Sequence, residues 1–328
     1  MAHPHLDTPR PGPNFLVEVD DDSWIIGGVM ISRHTSKPSS EPFWGDGEGG
    51  FFSVSKAPSP RPPTRPISDR CPLVNISHTE TTQGTWKIGL AELRIAINVG
   101  TTPEHATLEA LQKKGFGFRT PKVYYHGVHD RNYHIIFEAL PGKYLSDVWP
   151  EADEALRKRY AEQIAHAYHE LSTWRGDSIC GVDGNFVHEI FLCAEGCYDR
   201  NSFTPEKLRK NCEEIGMDCS NVVFTHNNMM PLSFIVNQDG LVGISRWESA
   251  GFVPKDWVRT KTRSNAFLEG FRPCRKRLTD NQMKDWEAKF ESAIEDQGFQ
   301  HHWEGNCYWR EALHQRWKKE DEDAAKAT

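Results

Sequence analysis

Apolar residues fall in short clusters separated by Gly, Pro and Asp, and their period changes along the chain. Asp22, Ser23, Trp24, Ile25 and Ile26 lead through Gly27-Gly28 into Val29-Met30-Ile31, which predicts a turn and a short strand. Thr85 to Gly89 and Leu93 to Val99 read as two strands, the second with branched residues alternating around Arg94 and Asn98. Pro103 stands where a helix would start, and Leu108 and Leu111 give that helix an apolar edge. Val123-Tyr124-Tyr125 and Ile135-Ile136-Phe137 suggest two more strands, and Ala139-Leu140-Pro141-Gly142 breaks the pattern. From about 151 the period lengthens. Leu156, Tyr160, Ile164, Tyr168 and Leu171 recur at spacings of four, four, four and three, one face of a long amphipathic helix.

The stretch 222–252 is a strand, a polar loop and a hairpin. Val222-Val223-Phe224 predicts a short buried strand, and Phe234-Ile235-Val236 and Leu241-Val242-Gly243-Ile244 pair across the turn Asn237-Gln238-Asp239-Gly240. After Glu248 the pattern predicts helix, with Trp257, Trp286 and Phe290 as core anchors. Residues 56–72 carry six prolines, which excludes helix and central strand and predicts an extended, disordered insertion. Residues 1–14 read as a disordered tail and the charged residues 318–328 as a frayed one. Strands first and helices later, with one embedded hairpin, indicate an α+β fold.

Composition narrows the class of function. No run of about 18 apolar residues exists to span a bilayer, and mean hydropathy is −0.64. The first residues lack the apolar segment of a secretory signal. The net charge of −7 argues against nucleic acid or an anionic membrane surface as partner. Cys193 and Cys197 are separated by three residues, and Cys212 and Cys219 by six. Neither spacing suits a zinc site, so reduced thiols in a cytoplasmic protein are expected.

Thr225-His226-Asn227-Asn228-Met229-Met230-Pro231-Leu232-Ser233-Phe234-Ile235-Val236, a turn, and Gly243-Ile244-Ser245-Arg246-Trp247-Glu248-Ser249-Ala250-Gly251 resemble the catalytic segment of the aminoglycoside phosphotransferase and choline kinase-like family, in its fungal branch. The family pattern is T-H-G-D-L-x-P-x-N-I-L-V, a turn, then G-I-I-D-W-E-x-A-G. Weaker echoes lie at Asp22-Ser23-Trp24, Ala96 to Gly100, Glu104 and Glu138 to Gly142. The resemblance implies a two-lobed, protein-kinase-like fold: a β-rich lobe over 15–138 and a mostly helical lobe over 139–317.

It also implies that the chemistry has changed. Phosphoryl transfer needs a Lys on the phosphates, an Asp on the acceptor hydroxyl, and an Asn and an Asp on magnesium. The corresponding positions carry Asn98, Asn228, Ser233 and Arg246, with Arg94 an alternative cation to Asn98. Neutral Asn228 cannot accept the proton, and Arg246 puts a positive charge where a dication needs a carboxylate. No metal and no cofactor is expected. Candidate catalytic residues are Arg246, His226 and Asn228, although a brace for the loop backbone is the favoured reading of His226. Candidate ligand contacts are Arg246, Asn98, Asn228, Met230, Ser233 and Glu248. The expected ligand is a small organic metabolite bearing a carboxylate or carbonyl, held in a repurposed inter-lobe cleft. Cyclisation, isomerisation or pericyclic closure in a natural-product pathway is one reading, and a pseudokinase that only binds is another. A phosphotransferase with displaced catalytic groups is the third.

Overall fold

Strand formation begins earlier than the sequence pattern suggested. The protein, described as a computed structural model over residues 15–76, 84–194, 200–264 and 277–327, makes five antiparallel strands before residue 57. They are β1 (Leu16–Asp20), β2 (Ser23–Ile26), β3 (Val29–His34), β4 (Phe43–Gly45) and β5 (Phe51–Lys56), in the order β1-β2-β3-β5-β4. A second sheet holds β6 (Val74–Asn75), β7 (Gly84–Ile88), β8 (Ala91–Ile97), β9 (Val123–His129) and β10 (Asn132–Glu138), ordered β6-β7-β8-β10-β9. Trp24, Ile31, Trp44, Phe52, Trp86, Leu93, Ile95 and Ile136 form one apolar core between these sheets. Trp44 is anchored there by donating its indole N–H to the Ile88 carbonyl at 2.8 Å.

The proline-rich segment is ordered, which corrects the expectation of a disordered insertion. Arg65 bridges to Glu18 of β1 through paired backbone hydrogen bonds of 3.0 and 2.8 Å. The buried Glu18 carboxylate accepts from the Ser68 hydroxyl at 2.7 Å, the Ser68 N–H at 3.0 Å and Arg65 Nε at 3.0 Å. The Ser68 hydrogen bonds hold its carboxyl down at about 2. One buried acid thus supplies the acceptors that a strand partner would otherwise provide. The expected tail at 1–14 lies outside the described residues.

Contacts divide the chain into Met1–Asn98 with Pro121–Leu140, and Val99–Thr120 with Pro141–Thr328. Residues 99–120, expected in the β-rich lobe, therefore group with the second unit. That unit opens with α1 (Glu104–Lys114), which ends at Gly115 in a left-handed conformation. It continues with β11 (Lys143–Tyr144), α2 (Leu145–Val148), α3 (Glu154–Leu171), β12 (Arg175–Gly176), α4 (Pro205–Ile215) and β13 (Val222–Thr225). Next come β14 (Phe234–Asn237), β15 (Gly240–Ile244), β16 (Gly251–Pro254) and α5 (Trp257–Thr262), then α6 (Asp280–Asp296) and α7 (Trp303–Ala327). Tyr160, Ile164, Tyr168 and Leu171 are the buried face of α3, as their spacing predicts.

Two further expectations are corrected. The chain after Glu248 forms β16, which pairs with β13, before it turns helical. The charged residues 318–327 continue α7, because Lys, Glu and Ala sustain a helix that needs no apolar face. A β-rich unit and a mostly helical unit make the fold α+β.

Candidate functional site

β13 delivers Thr225 to Asn228 into the interior of the second unit, and the β14–β15 hairpin returns Ser245 to Glu248 beside it. The two loops are tied by a short series of hydrogen bonds. His226 is fully buried, with Nε2 2.8 Å from the Ser245 carbonyl and Nδ1 3.3 Å from the Tyr168 hydroxyl. Nε2 therefore carries the proton and donates, and Nδ1 accepts. Burial pushes the imidazole down to about 4, so it is neutral. Both ring nitrogens are spent on the protein, which gives His226 the geometry of a brace.

Asn227 takes the left-handed conformation, φ 60°, and donates its amide to the Ser249 carbonyl at 3.0 Å. The next residue, Asn228, donates to Glu248 Oε1 at 3.2 Å. Ser245 N–H donates to the Ser233 carbonyl at 2.8 Å, placing the ends of β14 and β15 side by side. Arg246 is also left-handed, φ 64°, and half-buried. Its bend is fixed on the far side by Trp247, whose N–H donates to the buried Glu104 carboxylate of α1 at 2.8 Å. Trp247 itself is fully buried and stacks on Phe118 and Phe224. Among the described residues, no hydrogen-bond or ion-pair partner lies against the Arg246 guanidinium.

Thr225, Asn227 and Ser233 each keep a buried side-chain oxygen without a partner among the described residues. Each such atom costs stability unless water or a ligand satisfies it. Met229 is core, its carbonyl accepting from Trp286 at 3.3 Å, and Met230 is half-exposed.

The structure thus gathers His226, Asn228, Met230, Ser233, Arg246 and Glu248 on two adjoining loops. Asn98 belongs to the first unit, exposed just beyond β8, with its N–H on the Arg131 carbonyl at 2.9 Å. Arg94, the alternative cation, is buried in β8 with its guanidinium 5.3 Å from the centre of the Phe137 ring.

Two residues of the site have no signature in the sequence. Lys261 Nζ lies 2.6 Å from Glu189 Oε2 and 2.6 Å from the Asn227 carbonyl, all three buried. The run Arg259-Thr260-Lys261-Thr262 reads as solvated surface, yet all of α5 is buried. Only a lysine facing a carboxylate seventy-two positions away reveals the pair.

A magnesium-bound phosphate requires anionic oxygens. The positions assigned to it by resemblance hold a hydroxyl at Ser233 and a cation at Arg246, and Asn228 turns an N–H toward Glu248. Among the described residues, no three His, Cys, Asp or Glu side chains gather where they could hold a metal. On the assignment the resemblance implies, these donors differ from the Asn and Asp of a magnesium–nucleotide site.

The sequence matches no family model and no curated protein. Among solved structures, it is similar to an aminoglycoside 3'-phosphotransferase of type VIII at 16% identity and TM-score 0.42, covering 68% of this chain and 93% of that one. A gentamicin complex of an APH(2")-IIa enzyme aligns at 14% identity and TM-score 0.41, covering 67% and 80%. A macrolide 2'-phosphotransferase from Brachybacterium faecium aligns at 11% identity and TM-score 0.37, covering 70% and 78%.

Proposed function

We propose that the paired loops 225–233 and 245–248 form a small-molecule site that does not transfer phosphate. Arg246 is its polar anchor, for an organic ligand bearing a carboxylate or a polarised carbonyl. The observation that carries this reading is Arg246: a half-buried residue on a left-handed backbone whose guanidinium has no hydrogen-bond or ion-pair partner among the described residues. A planar guanidinium offers paired donors to a carboxylate, and a rigid backbone spares the ordering cost of aiming it. Met230 supplies apolar contact, and the Asn228–Glu248 pair supplies a second polar wall.

Chemistry at such a site rests on holding one reactive conformer and stabilising charge on one oxygen. Cyclisation, isomerisation and pericyclic closure ask for no more than that. The resemblance to fungal phosphotransferases is what suggests a natural-product pathway. Binding without turnover is the second reading, favoured by His226: with its proton committed to Ser245, the site has no imidazole to act as acid or base.

Ligand-observed NMR with acetate, benzoate and pyruvate tests the anchor. Charge-assisted hydrogen bonds contribute about 1.5–3 kcal/mol. Arg246→Ala should therefore weaken the best carboxylate roughly ten- to a hundredfold, and Arg246→Lys should recover part of it. Equal binding by wild type and both variants would place the ligand elsewhere.

A further inference from the structure

Where α4 meets α7, outside the loops 225–233 and 245–248, the second unit holds a cavity of about 200 Å³. The packing of the two helices fixes what lines it. Leu208, Cys212 and Ile215 lie on the buried face of α4, and Trp309 and Leu313 are buried on α7. The Trp309 indole N–H donates to Glu214 Oε2 at 3.0 Å, which sets Glu214 across from Trp309. Lys207 stands seven residues before Glu214 on α4, and Arg316 stands seven residues beyond Trp309 on α7. Seven residues advance about 10.5 Å along either helix. Lys207 and Arg316 nevertheless line the same cavity. The helices therefore run antiparallel here, and Arg316 comes to lie opposite Lys207.

The charges in this cavity do not balance. Among its described lining residues Lys207, Lys210 and Arg316 are cations, and Glu214 is the one carboxylate. Glu214 already accepts from Trp309, and Lys210 Nζ lies 3.8 Å from its Oε1. Arg316 has no hydrogen-bond or ion-pair partner among the described residues. Like charges brought face to face cost free energy. They do so here in a chain where Asp and Glu outnumber Lys and Arg by 46 to 39. Ser202 and Asn211 add polar wall. At about 30 Å³ per water, the space holds roughly six or seven waters. That is less than the roughly 300–1,000 Å³ of a drug-sized ligand, and it suits a compact anion.

We propose that this cavity binds a phosphate dianion, free or carried as a small monoester, with Arg316 and Lys207 as its cationic walls. A planar guanidinium offers paired N–H donors to phosphate oxygens, and an ammonium adds a point charge beside it. A dianion between the helices replaces the repulsion of Lys207 and Arg316 with two attractions. It also ties α7 to α4, so binding raises the unfolding temperature by mass action. This inference is independent of the function proposed for the loop site.

Calorimetric titration of the full chain with inorganic phosphate and with glycerol 3-phosphate tests it, against sodium chloride at equal ionic strength. Phosphate should bind saturably, with a Kd of about 1 mM or tighter, and chloride should not. Tighter binding of glycerol 3-phosphate would assign the site to a monoester, and equal or weaker binding would assign it to free phosphate. Arg316→Gln and Lys207→Gln should each weaken phosphate about tenfold or more, and Arg316→Lys should recover part of that loss. Arg316 is exposed, so thermal unfolding without phosphate should find Arg316→Gln as stable as wild type, while the rise in unfolding temperature with phosphate should vanish. The proposal is overturned if phosphate gives no saturable binding, or if Arg316→Gln binds it as wild type does. It is equally overturned if Arg246→Ala abolishes phosphate binding and Arg316→Gln does not, since the anion then sits at the loop site.

Discussion

In the first unit, Trp24, Ile31, Trp86 and Leu93 pack with apolar neighbours between two sheets. In the second, the interior around the candidate site is filled by His226, Asn227, Ser233, Lys261 and Glu189. The apolar core gains from area removed from water, a term that is graded and tolerant of small changes. The polar loops are held by hydrogen bonds and one buried ion pair, where losing a single partner strands the other. A protein accepts that risk where it must fix a few polar groups in one geometry, and here the fixed group is the Arg246 bend.

The largest expected effect breaks the ion pair. Lys261→Met should cost about 3–5 kcal/mol, because Glu189 is left charged and buried. Thermal unfolding of Lys261→Met beside Lys261→Met/Glu189→Leu separates pairing from packing, since the double variant should recover most of the loss. A single variant as stable as wild type would mean that the pair does not brace the loop.

Acid should act next. His226 and, in the first unit, His134 are both held near about 4 by burial, against an ordinary value of 6.5. Their unfolded forms take up protons first, so their contribution is complete above pH 6.5 and is lost as pH falls toward 4. For His226 alone the loss is on the order of 3 kcal/mol at the acid end. Urea unfolding across that window should show His226→Asn with a shallower pH slope than wild type. An unchanged slope would indicate that His226 is not the neutral brace described.

Within the apolar core, Ile31→Val should cost only about 0.5–1.5 kcal/mol by chemical denaturation. A much larger loss would mean that the core is as brittle as the polar loops. Smallest is Arg246→Gly. Glycine suits φ 64°, and no side-chain partner among the described residues is lost. Stability should stay within about 1 kcal/mol, on the stabilising side. Carboxylate binding should nevertheless fall as it does for Arg246→Ala, which separates the role of Arg246 in binding from any role in folding.

How much of this was legible depended on which residues carried the signal. The face of α3 and the 234–244 hairpin were plain, because their apolar spacing is regular and a turn separates the strands. The 16–56 sheet was largely hidden. Its strands are short, three to six residues, with Ser interspersed among the apolar positions, and the Pro-rich segment that completes it depends on Glu18, a single buried acid. β16 was masked because four residues beginning with Gly and ending with Pro carry little strand pattern. In the candidate site, the order of His226, Asn228, Ser233 and Arg246 could be read from motif spacing. Lys261 and Glu189 could not, since a buried charge differs from an exposed one only through a partner distant in sequence.

The most direct test of the central claim is a calorimetric titration of the wild-type protein with Mg-ATP, run with and without EDTA. The donors at Asn228, Ser233 and Arg246 predict no heat of a metal-dependent site in the micromolar range. A micromolar, EDTA-sensitive binding isotherm would contradict the account and restore the site to nucleotide chemistry.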